Sequence, residues 1–349
     1  MKSPYIDLPD SSFWKLAVPN KIDLLENIYK QKFSILNKKI ATAGDCFAQE
    51  IHRALKKSGC LVIDNEPSPN TIAIRGEIEN SFGYGLYSAR HGNIYSARQL
   101  LQLAKEAFGI STPSPEDYIW EKDNRFYDAL RPSVEPNGLT SKEEVIMQRQ
   151  DHIKRFRMVL ESCDIFIFTM GLTESWIGIK NGLVYPTAPG VIAGTYNPDL
   201  YQFYNFKFME IYNDFLEFRK IVKLYNPSVK FLLTISPVPL TATASGKHVL
   251  AATVYSKSIV RAVAGQLYDE YDDIDYFPSY EILTTPFLGA FMFMENKRTV
   301  TKKGVAMTME IFIREHTLAS TSDVNNEEEV HGKTVCDEAL LDAFAGGNK

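Results

Sequence analysis

The 349-residue chain is 45% hydrophobic and 23% charged, an ordinary globular composition, long enough to bury a sizeable core without disulfides or metals. Its net charge of -5, with basic residues in scattered pairs such as Lys38-Lys39, Lys56-Lys57 and Lys302-Lys303, argues against nucleic-acid or anionic-membrane partners. No run reaches the ~18 apolar residues of a membrane span, and Met1-Lys2-Ser3-Pro4-Tyr5-Ile6-Asp7 lacks the apolar centre of a signal peptide. Four cysteines, Cys46, Cys60, Cys163 and Cys336, show no CxxC spacing and no His-rich companion. That pattern predicts free thiols in a reducing, cytoplasmic protein with no metal site.

In chain order, short apolar runs bounded by turn residues predict buried strands at 40–43, 61–64, 165–169, 230–235 and 274–277. Helical periodicity between them predicts helices over 47–58, 97–107, 142–162, 206–225 and 253–271. The alternation argues for an α/β fold, a three-layer α/β/α sandwich with a mostly parallel, flavodoxin-like sheet. Sheets of this kind bind ligands beyond the carboxyl ends of their strands. Residues 66–150, rich in Pro, Asn and aromatics, carry one clear helix and suit an insertion forming a cap. Residues 177–205 hold many Gly, Pro and Tyr and suggest an ordered loop. The aromatic run at 201–208 suggests packing, with a sugar platform as the alternative. One domain is expected over 1–318. Beyond it lies a polar, acidic and mobile tail over 319–349, whose Glu327-Glu328-Glu329 run suits a solvated surface. A short helix from Asp337 could dock.

The most informative stretch is the strand-to-turn-to-helix passage around Gly44-Asp45-Cys46. A cysteine at a helix start sits in the field of unpaired N–H groups, which favours a thiolate and supplies an oxyanion donor. The competing reading is an inert buried cysteine, and Asp45 facing the sulfur would raise its pKa.

Gly44-Asp45-Cys46-Phe47-Ala48 resembles the motif that names the GSCFA family, departing from it at Asp45, where the family name has serine. Further co-linear blocks resemble the same family. They are Arg90-His91-Gly92-Asn93-Ile94-Tyr95-Ser96-Ala97-Arg98-Gln99-Leu100, Gly171-Leu172-Thr173-Glu174-Ser175-Trp176, Tyr185-Pro186-Thr187-Ala188-Pro189-Gly190, Ser236-Pro237-Val238-Pro239-Leu240, Tyr255-Ser256-Lys257-Ser258 and Tyr276-Phe277-Pro278-Ser279-Tyr280-Glu281. In the wider SGNH/GDSL hydrolases the first block is Gly-Asp-Ser with a serine nucleophile, so the resemblance implies Cys46 as nucleophile. It also sets Gly171 and Thr173 where those enzymes hold the oxyanion, with Glu174 following. The Asp-x-x-His pair of that group is missing, with Asn296 and Thr299 in its place.

Among six histidines, His248 in a loop after a strand is the first substitute for a base and His91 the second. His52 lies along the first helix, and His152, His316 and His331 suit the surface. Arg90, Tyr95 and Arg98, with Asp45, are candidates for substrate binding. An internal salt bridge anchoring the insertion is the slightly favoured reading of the two arginines, and Arg125 and Arg131 share that ambiguity. The resemblance implies an esterase or acyltransferase acting on a glycan or polyol, linked to polysaccharide biosynthesis. It keeps coenzyme A open as acyl carrier, with no other cofactor. The alternative is a non-catalytic binding or scaffold protein on a decayed hydrolase fold. Oligomeric state is left open.

Overall fold

Four short runs of apolar, β-branched and aromatic residues pair in parallel as the central sheet of the computed structural model, which describes residues 3–18, 27–69, 80–286, 290–316 and 336–344. The strands are β1 (Ile40–Gly44), β4 (Ile165–Met170), β8 (Lys230–Ile235) and β9 (Ile274–Phe277), in the order β1-β4-β8-β9. Register aligns their carboxyl ends: Gly44 pairs with Thr169, Thr169 with Thr234, and Thr234 with Phe277.

Successive side chains point to opposite faces of a strand, and both faces here are apolar. Ala41, Ala43, Phe166, Phe168, Phe231 and Leu233 enter one core cluster, while Ile40, Ile165, Ile167, Leu232 and Phe277 enter the other. Helices cover each side. Over the first cluster lie α2 (Ala97–Ala107), α3 (Lys142–Ser162), α4 (Phe208–Tyr225) and α5 (Val249–Glu270). Over the second lie α1 (Cys46–Lys57), α6 (Ser279–Thr284) and α7 (Lys302–Glu315). The fold is therefore a three-layer α/β/α sandwich, burying a parallel sheet on both sides as such sheets require.

The predicted strand at 61–64 is reduced to a single parallel bridge, Val62 to Ile40, held by two backbone bonds of 2.9 Å. It lies on the outer side of β1, so the chain winds outward in both directions from β1. The reversal falls between β1 and β4, and such switch points open a crevice beyond the strand ends.

Two smaller sheets flank this body. The hairpin β2 (Ile119–Lys122) to β3 (Arg125–Asp128) turns through Asp123 and Asn124 with φ of 51° and 56°, the left-handed pair of a type I′ turn. The antiparallel sheet β6-β5-β7 combines β5 (Glu174–Gly178), β6 (Val184–Tyr185) and β7 (Tyr201–Asn205). Residues 177–205, expected as loop, thus contain strand: Ile177 pairs with Val184 and Gln202, in segments too short and too broken by Gly and Pro to show a clear period. Helix α7 was also absent from the sequence expectation, although Thr301 caps it by accepting from Gly304 N at 3.0 Å. Within the 66–150 stretch, α2 lies in the first helix layer, and Trp120 of the hairpin stacks on Tyr185 and donates to Tyr201 Oη at 3.1 Å. The Glu327-Glu328-Glu329 run and His331 lie outside the described residues.

Candidate active site

At the carboxyl end of β1, Asp45 is the N-cap of α1, accepting from Phe47 N at 3.0 Å, and Cys46 is the first helical residue. The backbone amides of that first turn have no acceptor within the helix. Asp45 is 3% exposed and faces Lys257 of α5 and Ser236 at the end of β8. Burial pushes the Asp45 carboxyl above its usual range, while Lys257 and the hydrogen bonds act against that rise. Burial likewise pushes Lys257 down, opposed by Asp45, and its Nζ donates to Gly171 O at 2.8 Å.

Beyond β4 the chain is pinned to the Arg90–Leu100 block. Gly171 N and Leu172 N both donate to Tyr95 O, at 3.1 and 2.9 Å, and Ile94 N donates to Gly44 O at 2.8 Å. The Gly171 amide, implied as an oxyanion donor, is thereby engaged within the protein. Thr173 N donates to Ser256 Oγ at 2.9 Å. The hydroxyls of Thr173 and Tyr95 are buried without a hydrogen-bond partner, an arrangement that costs free energy unless something binds them.

The segment Asp337–Phe344 docks as a 3-10 helix, so the part of the 319–349 tail that is described packs against the domain. Asp337 is 2% exposed and faces Ser133 and Asn93. Cys336 comes beside Cys46, and Arg298 Nη2 reaches Cys336 Sγ at 3.6 Å and Glu338 at 3.6 Å. The neighbouring Cys336, then burial, then the negative charge of Asp45 hold the Cys46 thiol well above the usual range. Cys336 is pulled the other way, to about 6, by the neighbouring Cys46 and by Arg298, against its burial. Glu338 is pushed up to about 8 by burial and by Cys336, against Arg298 and Lys257. A cleft of ≈ 180 Å³ opens beside this cluster, walled by Glu174, Trp176, Tyr185, Phe203, Thr243 and Glu338.

His248 is exposed and caps α5, its Nδ1 accepting from Leu250 N at 3.2 Å. His91 is buried on Gly92 O at 2.6 Å and pushed down to about 4 by that burial. Among the described residues no histidine hydrogen-bonds Cys46. Glu174 accepts from Thr243 Oγ1 at 2.8 Å, and burial pushes its carboxyl up. Arg90 bonds Val134 O at 2.7 Å and pairs with Glu135, and Arg98 pairs with Asp214 at 2.7 Å over the Phe206 ring. Arg90 anchors the fold from within, whereas Arg98 pairs with Asp214 while 37% of its side chain stays exposed. Arg131 pairs with Asp128 at 2.9 Å, while Arg125 bonds the carbonyls of Asn137 and Gly138. Asn296 and Thr299 close an exposed turn on each other at 3.0 Å.

His152 and His316, expected at the surface, are buried at 1% and 0% exposure. His152 Nδ1 meets Glu66 at 2.7 Å, and His316 Nε2 meets the Tyr29 hydroxyl at 3.1 Å. Lys257, Arg298, Cys336 and Glu338 were missed as site residues. For Lys257 a signal exists: it falls on the face of α5 shared by Val260 and Ala264, where a lysine is out of place. Among the described residues no cluster of three metal-ligating side chains forms, and no helix is long and apolar enough to cross a membrane.

A model of the GSCFA family matches residues 39–312. A search of curated proteins gives no match. Among solved structures, a salicylyl-acyltransferase, SsfX3, from a tetracycline biosynthetic pathway aligns at 16% identity with a TM-score of 0.27, over 49% of this chain and 42% of that one.

Proposed function

This chain belongs to the GSCFA family, and on that premise we propose that it is an acyl-transfer enzyme, an esterase or O-acyltransferase, with Cys46 as nucleophile. The observation that carries the reading is the placement of Cys46. It is the first residue of a 12-residue helix, one residue beyond β1 at the sheet's switch point, and Glu338 of the segment that reaches it also lines the cleft. The Cys46 sulfur attacks the acyl carbonyl, and its thiol proton leaves with the departing oxygen or sulfur. The amide of Cys46 and the unpartnered hydroxyl of Thr173 are the donors for the oxyanion. The bond from the carbonyl carbon to the donor oxygen or sulfur then breaks, leaving the acyl group on Cys46. Water or an acceptor hydroxyl takes that group in the second half-reaction.

The aromatic walls Trp176, Tyr185 and Phe203 suit a sugar or polyol acceptor, whose ring faces stack on such side chains. Four free thiols suit action in the reducing cytoplasm. Two observations favour the second reading, a non-catalytic binding protein: Cys46 is only 5% exposed, and Asn296 and Thr299 bond each other where a catalytic pair would stand.

The test is intact-protein mass spectrometry of the reduced chain after brief exposure to an activated acetyl ester. Acylation at Cys46, abolished in Cys46→Ala and reduced in Thr173→Val, is the expected result. A chain that stays unmodified at Cys46 sinks the enzyme reading and leaves the binding protein.

A further inference from the structure

The carboxyl-terminal segment brings a second cysteine to the candidate nucleophile from 290 positions away in sequence. Contacts along the segment seat it there. Arg298 Nη2 lies 3.6 Å from Cys336 Sγ, and Cys336 comes beside Cys46. Asp337, at 2% exposure, is buried against Ser133 and Asn93, while Glu338 lies 3.6 Å from Arg298 and Leu341 lines the cleft. The other two thiols are elsewhere: Cys163 is buried in the first core cluster and Cys60 packs at the edge of the second.

We propose that Cys46 and Cys336 form a reversible disulfide that fastens the carboxyl-terminal segment across the active site. Arg298 is the chemical reason for the pairing. A guanidinium beside a thiol favours the thiolate, the form that oxidants attack, and a second thiol in contact resolves the product before it oxidises further. The oxidant is a small hydroperoxide. The Cys336 thiolate attacks one peroxide oxygen and becomes a sulfenic acid, and the hydroxide it displaces takes up the proton that the thiol had released and leaves as water. Cys46 then attacks that sulfur, its proton leaving with the hydroxyl group as a second water. Two thiols and one hydrogen peroxide thus give one disulfide and two waters. A thiol reductant reverses the bond by exchange. The link holds Cys46 out of reaction and keeps Glu338 and Leu341 in the cleft wall. That blocking effect rests on the reading of Cys46 as nucleophile, whereas the bond itself does not.

The reduced full-length protein is exposed to graded hydrogen peroxide, remaining thiols are capped with a maleimide, and peptides are mapped without reduction. The expected product is a Cys46–Cys336 linked peptide, lighter by two hydrogens, reversed by dithiothreitol and absent from Cys336→Ser, with Cys60 and Cys163 still capped. Arg298→Lys keeps the charge and retains linkage, whereas Arg298→Gln slows it at least about tenfold, the loss expected when a thiol returns toward its unperturbed pKa. If Cys46 and Cys336 remain separately capped, or each gains oxygen without linking, the inference is overturned. A folded Arg298→Gln that links at the wild-type rate removes the role given to Arg298. Acylation by the activated ester, read on the same samples, separates the two claims. Linkage with no acylation of the reduced chain refutes the acyl-transfer reading alone, and acylation with no linkage refutes the disulfide alone.

Discussion

At Gly44 the backbone takes φ +147°, and a Cβ there would lie 2.6 Å from Thr169 O and 2.7 Å from Thr169 Cβ. The glycine lets β1 end hard against β4, so that Asp45 and Cys46 turn into α1 at the level of Gly171. Gly44→Ala is therefore expected to cost about 2–4 kcal/mol, combining backbone strain with overpacking, measured as a lower urea midpoint. A wild-type midpoint would mean that the neighbouring strands yield without cost. The next residue illustrates a different constraint. Asp45 is at once a helix cap, the partner of buried Lys257 and a negative charge beside the thiol. Its residue type matched the first block of a hydrolase motif, but its pairing with Lys257 depends on α5, more than 200 positions later.

Among the elements, α3 shows how a helix with an unremarkable apolar pattern becomes buried. Arg149 and His152 lie on its inward face with Val145, Phe156 and Val159. Arg149 bonds Asp128 of β3 at 3.0 Å and pairs with Glu106 of α2, Asp128 also meets Arg131 at 2.9 Å, and Glu66 meets both Arg131 and His152. Burial alone would raise Glu66, but His152 and then Arg131 outweigh it and hold that carboxyl below the usual range. This row ties the hairpin, α2 and the segment near residue 66 to one helix. Removing one partner leaves buried charges unpaired, which costs about 3–5 kcal/mol. Arg149→Met should lower the denaturation midpoint accordingly, and a loss below about 1 kcal/mol would show that the row is solvated rather than buried.

For the molecule as a whole, burial of neutral histidines in separate layers sets a common response to acid. His52 in α1 is pushed down to about 3, His91 to about 4 and His316 at the end of α7 to about 4, each by burial first, and His152 is lowered in the same way. The folded protein keeps these rings neutral while the unfolded chain protonates them below about pH 6.5. Their contribution is complete above that pH and is lost as pH falls toward the folded values. Buried Asp45 and Glu338, both raised, pull the opposite way, so a single variant isolates the effect. His52→Gln, which can keep the bond that His52 makes to Thr42 at 2.7 Å, should flatten the loss of stability between pH 6.5 and 4 by up to about 1.4 kcal/mol per pH unit. Parallel wild-type and variant curves would show that His52 already titrates normally in the folded state.

The amino-acid sequence by itself determined the sandwich, because its long strands and helices each carry their own period. The runs at 165–169, 230–235 and 274–277 and the helices at 97–107 and 142–162 match the structure to within a residue. The Gly-Asp-Cys turn was legible for the same reason: strand end, cap and helix start are neighbours in the chain. Short paired segments such as β6 and β7 were not, since two to five residues show no period until a partner strand supplies one. Nor were the groups around Cys46. Lys257, Arg298 and Cys336 meet there only because α5, the turn before α7 and the carboxyl-terminal segment converge on the ends of β1 and β4. Burial and charge at that point are properties of the packed arrangement, and no local stretch of the chain encodes them.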